Sequence, residues 1–269
     1  MAGEVEEWCC RWVVFSFVER SGDRSGRAAV GDVGWTVDRD ARTVWVVPRD
    51  EQMMTWFQVV RIANVQSVRW VLGALNSQQS PVSVRRAQAW CARLETAGLV
   101  GRAQLGGAGG SLVWGTYAGT GVGKPSLYRQ TTRHEVAVSA ASARYAAAGC
   151  AWRRDEKPAF VGGHQADGVA LGPGWVELIE VELTPKRLPR YVSIFRAFRR
   201  RLDLGEANSI TYLCNTESAR AVREALTSIP IGRTLVDRVS VHEVYDLAGQ
   251  WISDALPDWL KSTASRGRW

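Results

Sequence analysis

The stretch His164–Lys186, HQADGVALGPGWVELIEVELTPK, decides how this chain is read. Asp167 ends a short segment, Gly172-Pro173-Gly174 supplies a turn, and Trp175 to Thr184 alternates as a strand does. The spacing predicts a hairpin whose second strand places Glu180 and Glu182 on one face and Ile179, Val181 and Leu183 on the other. Carboxylates gathered at one edge of a hairpin repel unless a cation or a proton lies between them. Asp167, Glu180 and Glu182 therefore read as oxygen ligands suited to Mg2+ or Mn2+. An Asp, a turn and a Glu-x-Glu strand form the layout of a metal-dependent phosphodiesterase site. The competing reading is a hairpin with solvated acids on its polar face.

The flanking sequence extends this hairpin into an α/β unit over residues 132–250. Thr132 to Ala148 is an alanine-rich helix ended by Gly149, and Phe160–Val161 with Asp167–Leu171 makes the first strand region. After the second strand come a helix from Leu188 to Leu202, a strand over Ser209–Cys214, a helix over Glu217–Leu226 and a strand over Val239–Val244. That order resembles the core of the PD-(D/E)XK nuclease-like fold, a mixed sheet with flanking helices. In that fold an Asp and a following acid hold the metal, and a Lys two residues beyond the acid orients water and stabilises charge on phosphorus. Asp167 and Glu180 match the two acids, whereas Glu182 occupies the usual lysine position. Lys186, beyond Pro185, is the nearest substitute cation. His134 and His164 are candidates for proton transfer or phosphate contact, with a core or capping role as the alternative for His134.

Upstream, residues 51–118 change to a helical pattern. Phe57 to Leu75 carries helix-spaced Val65, Val68, Leu72 and Leu75. Ser83 is a good N-cap for a helix with the stripe Val84, Ala87, Cys91 and Leu94, ended by Gly98. A strand, a glycine-rich loop at Gly106–Gly110 and Leu112-Val113-Trp114 complete the outline of a winged helix-turn-helix domain. Arg85, Arg86 and Arg93 lie off the apolar stripe, as on a recognition helix or as an ordinary solvated face. Residues 1–50 form a β-rich extension without an assigned role: a strand at Trp12–Phe15, a polar loop at Ser21–Arg27, and a hairpin of 33–37 with 43–47. Residues 119–131 read as a linker; its GTGVGKP lacks the spacing of a phosphate loop. Residues 251–269 form a tail ending in the basic SRGRW.

Composition narrows the partners. The net charge is +7, and only Lys124, Lys157, Lys186 and Lys261 are lysines. Arginine grips phosphate through a planar fork, so the charge is compatible with a DNA or RNA partner, the alternative being an arginine bias that reflects a GC-rich genome. Arg187, Arg190, Arg196, Arg199, Arg200 and Arg201 follow the acidic strand without an acid before Asp203. That run suits a phosphate backbone better than a merely solvated face. Tyr191 within it reads as a residue packed on the sheet rather than a nucleophile. The five cysteines, Cys9, Cys10, Cys91, Cys150 and Cys214, show neither CxxC nor zinc spacing and read as reduced and mostly buried. No apolar run reaches the roughly 20 residues that span a bilayer, and the start lacks a signal-peptide pattern, so the expectation is a cytoplasmic protein without a membrane partner.

From His134 to about Arg201 the chain resembles the replication-relaxation family of plasmids and integrative elements. The resemblance rests on His134, the ADG around Asp167, EVELTPK from Glu180 to Lys186, and the following Arg190-Tyr191. It implies DNA partners and a role in replication or mobilisation of a mobile element. The leading expectation is thus a divalent-metal-dependent DNA nicking or cleaving protein. The alternatives are a non-catalytic DNA-binding replication or transcription factor on a degenerate nuclease fold, and an adaptor whose winged helix pairs with protein, including a second copy as a homodimer.

Overall fold

Proline opens the first helix and explains its position. The computed structural model describes residues 44–104, 110–129, 131–158 and 162–265, and α1 spans Pro48–Val60. Pro48 suits the first helical turn, where its missing N–H has no partner to lose. Asp50 reaches back to accept the Val47 N–H at 3.0 Å. Residues 44–47, expected as a strand end, consequently lead into a helix instead. The helix expected from Phe57 to Leu75 is two helices. Arg61 takes φ 71°, β1 (Ala63–Asn64) follows, and the Asn64 side chain caps α2 (Val65–Ala74) by accepting the Ser67 N–H at 2.8 Å. Asparagine competes for backbone hydrogen bonds and favours such caps over helix interiors.

Ser83 caps α3 (Val84–Thr96) through the Arg86 N–H at 3.3 Å, and Gly98 ends it at φ +71°. Ala87, Cys91 and Leu94 are buried as expected; Trp90 joins them, while Val84 faces solvent. β2 (Val100–Gln104) and β3 (Ser111–Gly115) pair antiparallel, giving a three-stranded sheet of order β1-β3-β2. A short turn of helix, α4 (Tyr117–Thr120), follows.

α5 (Thr132–Ala147) is the central element. Its alanines let neighbours approach from both sides: α1, α2 and β1 on one, and the larger sheet on the other. From Val136 to Ala147 it is buried on nearly every side, with small Ala and Ser side chains at the contacts and Arg144 as the one buried charge. One continuous core runs from Met53 and Phe57 through Ala141 and Tyr145 to Val181 and Leu260, so the helical and sheet halves lie in one compact unit. Arg144, buried at 2 % exposure, is sandwiched between the rings of Trp70 and Trp251.

The larger sheet contains β4 (Ala151–Arg153), β5 (Gly168–Gly172), β6 (Trp175–Glu182), β7 (Ser209–Cys214) and β8 (Val239–Glu243) in that order. β4, β5 and β6 are antiparallel, whereas β6, β7 and β8 are parallel, making the sheet mixed. Pro173 and Gly174, the latter at φ +67°, turn β5 into β6 as the sequence predicts. α6 (Leu188–Asp203) makes the crossover from β6 to β7; α7 (Thr216–Ser228) and the short α8 (Pro230–Arg233) make the next. A second core under α6 and α7 gathers Leu178, Tyr191, Phe195, Phe198, Tyr212 and Val222. α9 (Asp258–Ser265) closes the chain.

Three expectations fall outside the described residues: the elements placed before residue 44, the strand at 160–161, and the end of the basic tail. So do residues 106–109 of the glycine-rich loop Gly106–Gly110. β4 has no counterpart in the expected elements; Ala151-Trp152-Arg153 is too short to show a period.

Candidate functional site

The β5–β6 register creates the site. Gly168 pairs with Ile179, so Asp167, one residue earlier, stands across from Glu180. Along β6, Ile179 and Val181 belong to the core under α5, while Leu178 belongs to the core under α6. Glu180 and Glu182 share the face of Leu178 by strand alternation, and are 3 % and 2 % exposed.

Each acid meets a different partner. Asp167 Oδ2 accepts the Val181 N–H at 2.8 Å and His134 Nε2–H at 3.2 Å. The same His134 nitrogen lies 3.0 Å from the Val181 carbonyl, which can only accept, so Nε2 carries the proton. His134 thus reaches the carboxylates from the first turn of α5. Glu180 Oε1 bonds His164 Nε2 at 2.9 Å, and the His164 ring packs edge-on against Phe198. Glu182 forms an ion pair with Lys186, whose backbone N–H donates to the Tyr191 hydroxyl at 3.2 Å.

The electrostatics of the three differ accordingly. Burial, then the charge of Asp167, raises the pKa of Glu180, against the pull of His164 and Lys186. Asp167 moves the other way: burial opposes ionisation, but the His134 hydrogen bond and charge, the Val181 N–H and Lys186 hold it below the usual carboxylate range. The His134 pKa is raised, because Asp167 outweighs burial. Burial lowers that of Lys186, while Glu180 and Asp167 pull it up, so its ammonium lies within electrostatic reach of both acids.

These residues suit an oxygen-seeking divalent ion in a particular way. Among the described residues no donor reaches Asp167 Oδ1 or Glu180 Oε2, leaving one oxygen of each acid for a ligand. Mg2+ needs few protein carboxylates, since it keeps several waters. The Tyr212 hydroxyl, paired across from Glu180 and fully buried, also has no partner among the described residues. An orphaned buried hydroxyl beside a carboxylate pair calls for an oxygen atom there. Glu182, expected as a third ligand, is turned to Lys186, and no three His, Cys, Asp or Glu side chains converge on a metal position among the described residues.

Residues that sequence reasoning missed hold this edge in place. Buried Asp155 accepts two hydrogen bonds from Arg201 at 2.6 and 3.0 Å and a third from the Ala166 N–H at 2.8 Å. Arg154 pairs with Glu135 and donates to the carbonyls of Asp167 and Val59, joining the site to α1. No spacing in RRDEKP signals either role. Tyr191, 1 % exposed and stacked on Phe195, is packed against the sheet.

The arginines divide. Arg85, Arg86, Arg187, Arg190, Arg196 and Arg200 are exposed. Arg199 pairs with Asp203 at 2.8 Å, and Arg93 with Asp50 at 2.6 Å. Cys91, Cys150 and Cys214 are buried free thiols; Cys9 and Cys10 lie outside the described residues. No helix among the described residues is long and apolar enough to cross a membrane. No protein-family model matches the chain, and neither curated proteins nor solved structures yield a match.

Proposed function

We propose that this chain binds DNA and nicks or cleaves it with Mg2+ or Mn2+ at the Asp167–Glu180 edge, serving replication or mobilisation of a mobile genetic element. The observation that carries this reading is the facing pair itself: the buried Glu180 and the half-buried Asp167 across from it, each with a spare oxygen, beside a lysine ammonium. The order α5-β4-β5-β6-α6-β7, with β6 and β7 parallel, supports a PD-(D/E)XK-like assignment. The order α1-β1-α2-α3-β2-β3 with sheet order β1-β3-β2 supports a winged helix-turn-helix ahead of it. The mobile-element role follows from the family resemblance of EVELTPK and its neighbours.

A divalent ion held by Asp167 and Glu180 would supply Lewis acidity toward a phosphodiester and a more acidic water. The chain's own groups do the rest. Lys186 brings positive charge to the place where negative charge develops on phosphorus. His134 fixes the orientation of the Asp167 carboxylate, and His164 fixes that of Glu180 through its hydrogen bond to Oε1. Exposed Arg187, Arg190, Arg196 and Arg200 on and beside α6 grip the backbone.

One observation favours a non-catalytic DNA-binding factor. Glu182 stands where the fold usually has its lysine, and it captures Lys186 in an ion pair. Incubating supercoiled plasmid with the protein and Mg2+, Mn2+ or chelator, beside Asp167→Ala and Glu180→Ala, separates the two. Metal-dependent nicking absent from both variants is the expected result. Salt-sensitive DNA binding without nicking selects the non-catalytic factor, and no binding even at low salt removes both in favour of a protein-pairing adaptor.

A further inference from the structure

A second candidate site lies in the helical half. The N-terminal turn of α1, α2 and the flank of α3 enclose a pocket of about 200 Å3. Arg49, Arg86 and Arg93 line it together with Trp90, Leu72 and Val82. One acid accompanies these three guanidinium groups, and its oxygens are already taken. Asp50 Oδ1 accepts Trp90 Nε1–H at 2.7 Å and Arg93 at 2.6 Å, and Oδ2 accepts the Val47 N–H. Arg93 is held further by the Trp45 carbonyl at 2.7 Å.

The other two arginines are left with unmet demand. Arg86 is exposed and has no acidic partner among the described residues. Arg49 makes one long bond, Nη1 to Asn76 Oδ1 at 3.3 Å, while its Nε–H is buried without an acceptor among the described residues. Neither Arg49 nor Arg86 has a carboxylate partner among the described residues, and an oxyanion satisfies a guanidinium fork best. The Arg49 and Arg86 forks supply more donors than a single carboxylate accepts, which favours an anion with more oxygens. The pocket exceeds what a bare anion fills, and Trp90, Leu72 and Val82 give its remainder an apolar wall.

We propose that this pocket binds a phosphate ester, with Arg49 and Arg86 as the anion ligands and Arg93 fixed as its wall by Asp50. The ester is either a phosphodiester of a nucleic-acid backbone or a free phosphate monoester. The inference does not depend on Asp167 and Glu180.

The test uses the full chain with chelator present, so that cleavage plays no part. Thermal midpoints are compared in inorganic phosphate and in chloride at equal ionic strength, and duplex DNA binding is followed by fluorescence anisotropy across a salt series. The variants are Arg49→Lys, which keeps the charge but loses the fork and Nε–H, and Arg86→Gln; Arg220→Gln, exposed on α7 and outside the pocket, is the control. Phosphate is expected to raise the midpoint of the wild type and of Arg220→Gln, but not of the two pocket variants. If the ester belongs to DNA, each pocket variant also weakens duplex binding roughly tenfold, and Arg86→Gln lowers the salt slope by about one. If it is a free monoester, duplex binding stays unchanged while the phosphate response is lost. Equal stabilisation of every variant, or none in any, with duplex binding unaltered in both pocket variants, overturns the proposal.

Discussion

The two ends of β6 hold buried glutamates under opposite regimes. Glu177, on the α5 face near the start of the strand, has neutral hydroxyls among its partners: Tyr145 donates to Oε2 at 2.9 Å and Thr211 to Oε1 at 2.6 Å. Glu180 and Glu182, toward the carboxyl end and on the other face, are met by His164 and Lys186. Neutral donors satisfy a carboxylate and seal it into the core. Titratable partners leave it able to exchange a proton or a cation. Burial alone therefore does not distinguish a structural acid from a chemical one; the partners do. Ligands of open α/β sheets gather outside the carboxyl ends of parallel strands, which is where the second pair lies.

Substituting each glutamate tests this contrast most strongly. Glu177→Ala strands the Tyr145 and Thr211 hydroxyls in a closed core and should cost roughly 3 kcal/mol in a denaturant melt. Glu180→Gln should leave stability unchanged or slightly higher, because burial and Asp167 already disfavour its charged form, yet it should abolish metal-dependent nicking. Equal losses of stability would show that both acids are structural and that the two ends do not differ.

Next in size is the Lys186–Glu182 pair. Lys186→Met leaves Glu182 buried and unpaired, a loss of about 2 kcal/mol once the partial exposure of the lysine is discounted. Lys186→Met combined with Glu182→Gln removes the lone charge and should recover most of that stability. If Lys186 acts on the phosphodiester, the double variant stays inactive despite its recovery. Restored nicking would instead show that Lys186 merely neutralises Glu182.

How much of this was legible in the sequence follows from the range of the interactions. Alternation along Trp175–Thr184 showed which β6 residues share a face, and the Gly172-Pro173-Gly174 turn placed Asp167 near Glu180; both are local. Helical spacing puts His134 on the face of Val138, Ala141 and Tyr145, all fully buried, which favours a core or capping histidine; it is the packing of α5 on the sheet that turns it to Asp167. The pairing of Arg201 with Asp155 spans 46 residues, and that of Arg93 with Asp50 spans 43, so a local pattern counts both arginines as available when they are not. Tyr212 was hidden for the same reason: SITYLC reads as a strand, but only the parallel β6–β7 register brings its ring to Glu180. The break between α1 and α2 was missed because Phe57–Leu75 keeps helical spacing through the cap at Asn64.

The smallest effect is in the pH profile of stability, measured with chelator present, where two groups act with opposite sign. His242, stacked on Trp259 with ring centroids 3.9 Å apart, has its pKa pushed from 6.5 down to about 4 by burial and then by Arg223. Below pH 6.5 the unfolded chain takes up a proton that the native state refuses until about pH 4, so stability falls as the pH drops through this window. The shift alone corresponds to roughly 3 kcal/mol, and partial exposure of the ring reduces the expected loss to roughly 1–2 kcal/mol. Glu180 runs the other way. With its pKa raised above 4.5, its contribution is complete below that pH and is lost as the pH rises through the native value. The depressed pKa of Asp167 removes stability only as the pH falls below 3.8, outside this window. The wild-type profile should thus be shallow in weak acid. Glu180→Gln should steepen the fall on acidification, and His242→Phe, which keeps the ring on Trp259, should reverse it. A profile unchanged by Glu180→Gln would mean that Glu180 titrates normally, and the difference between the two ends of β6 would lose its electrostatic basis.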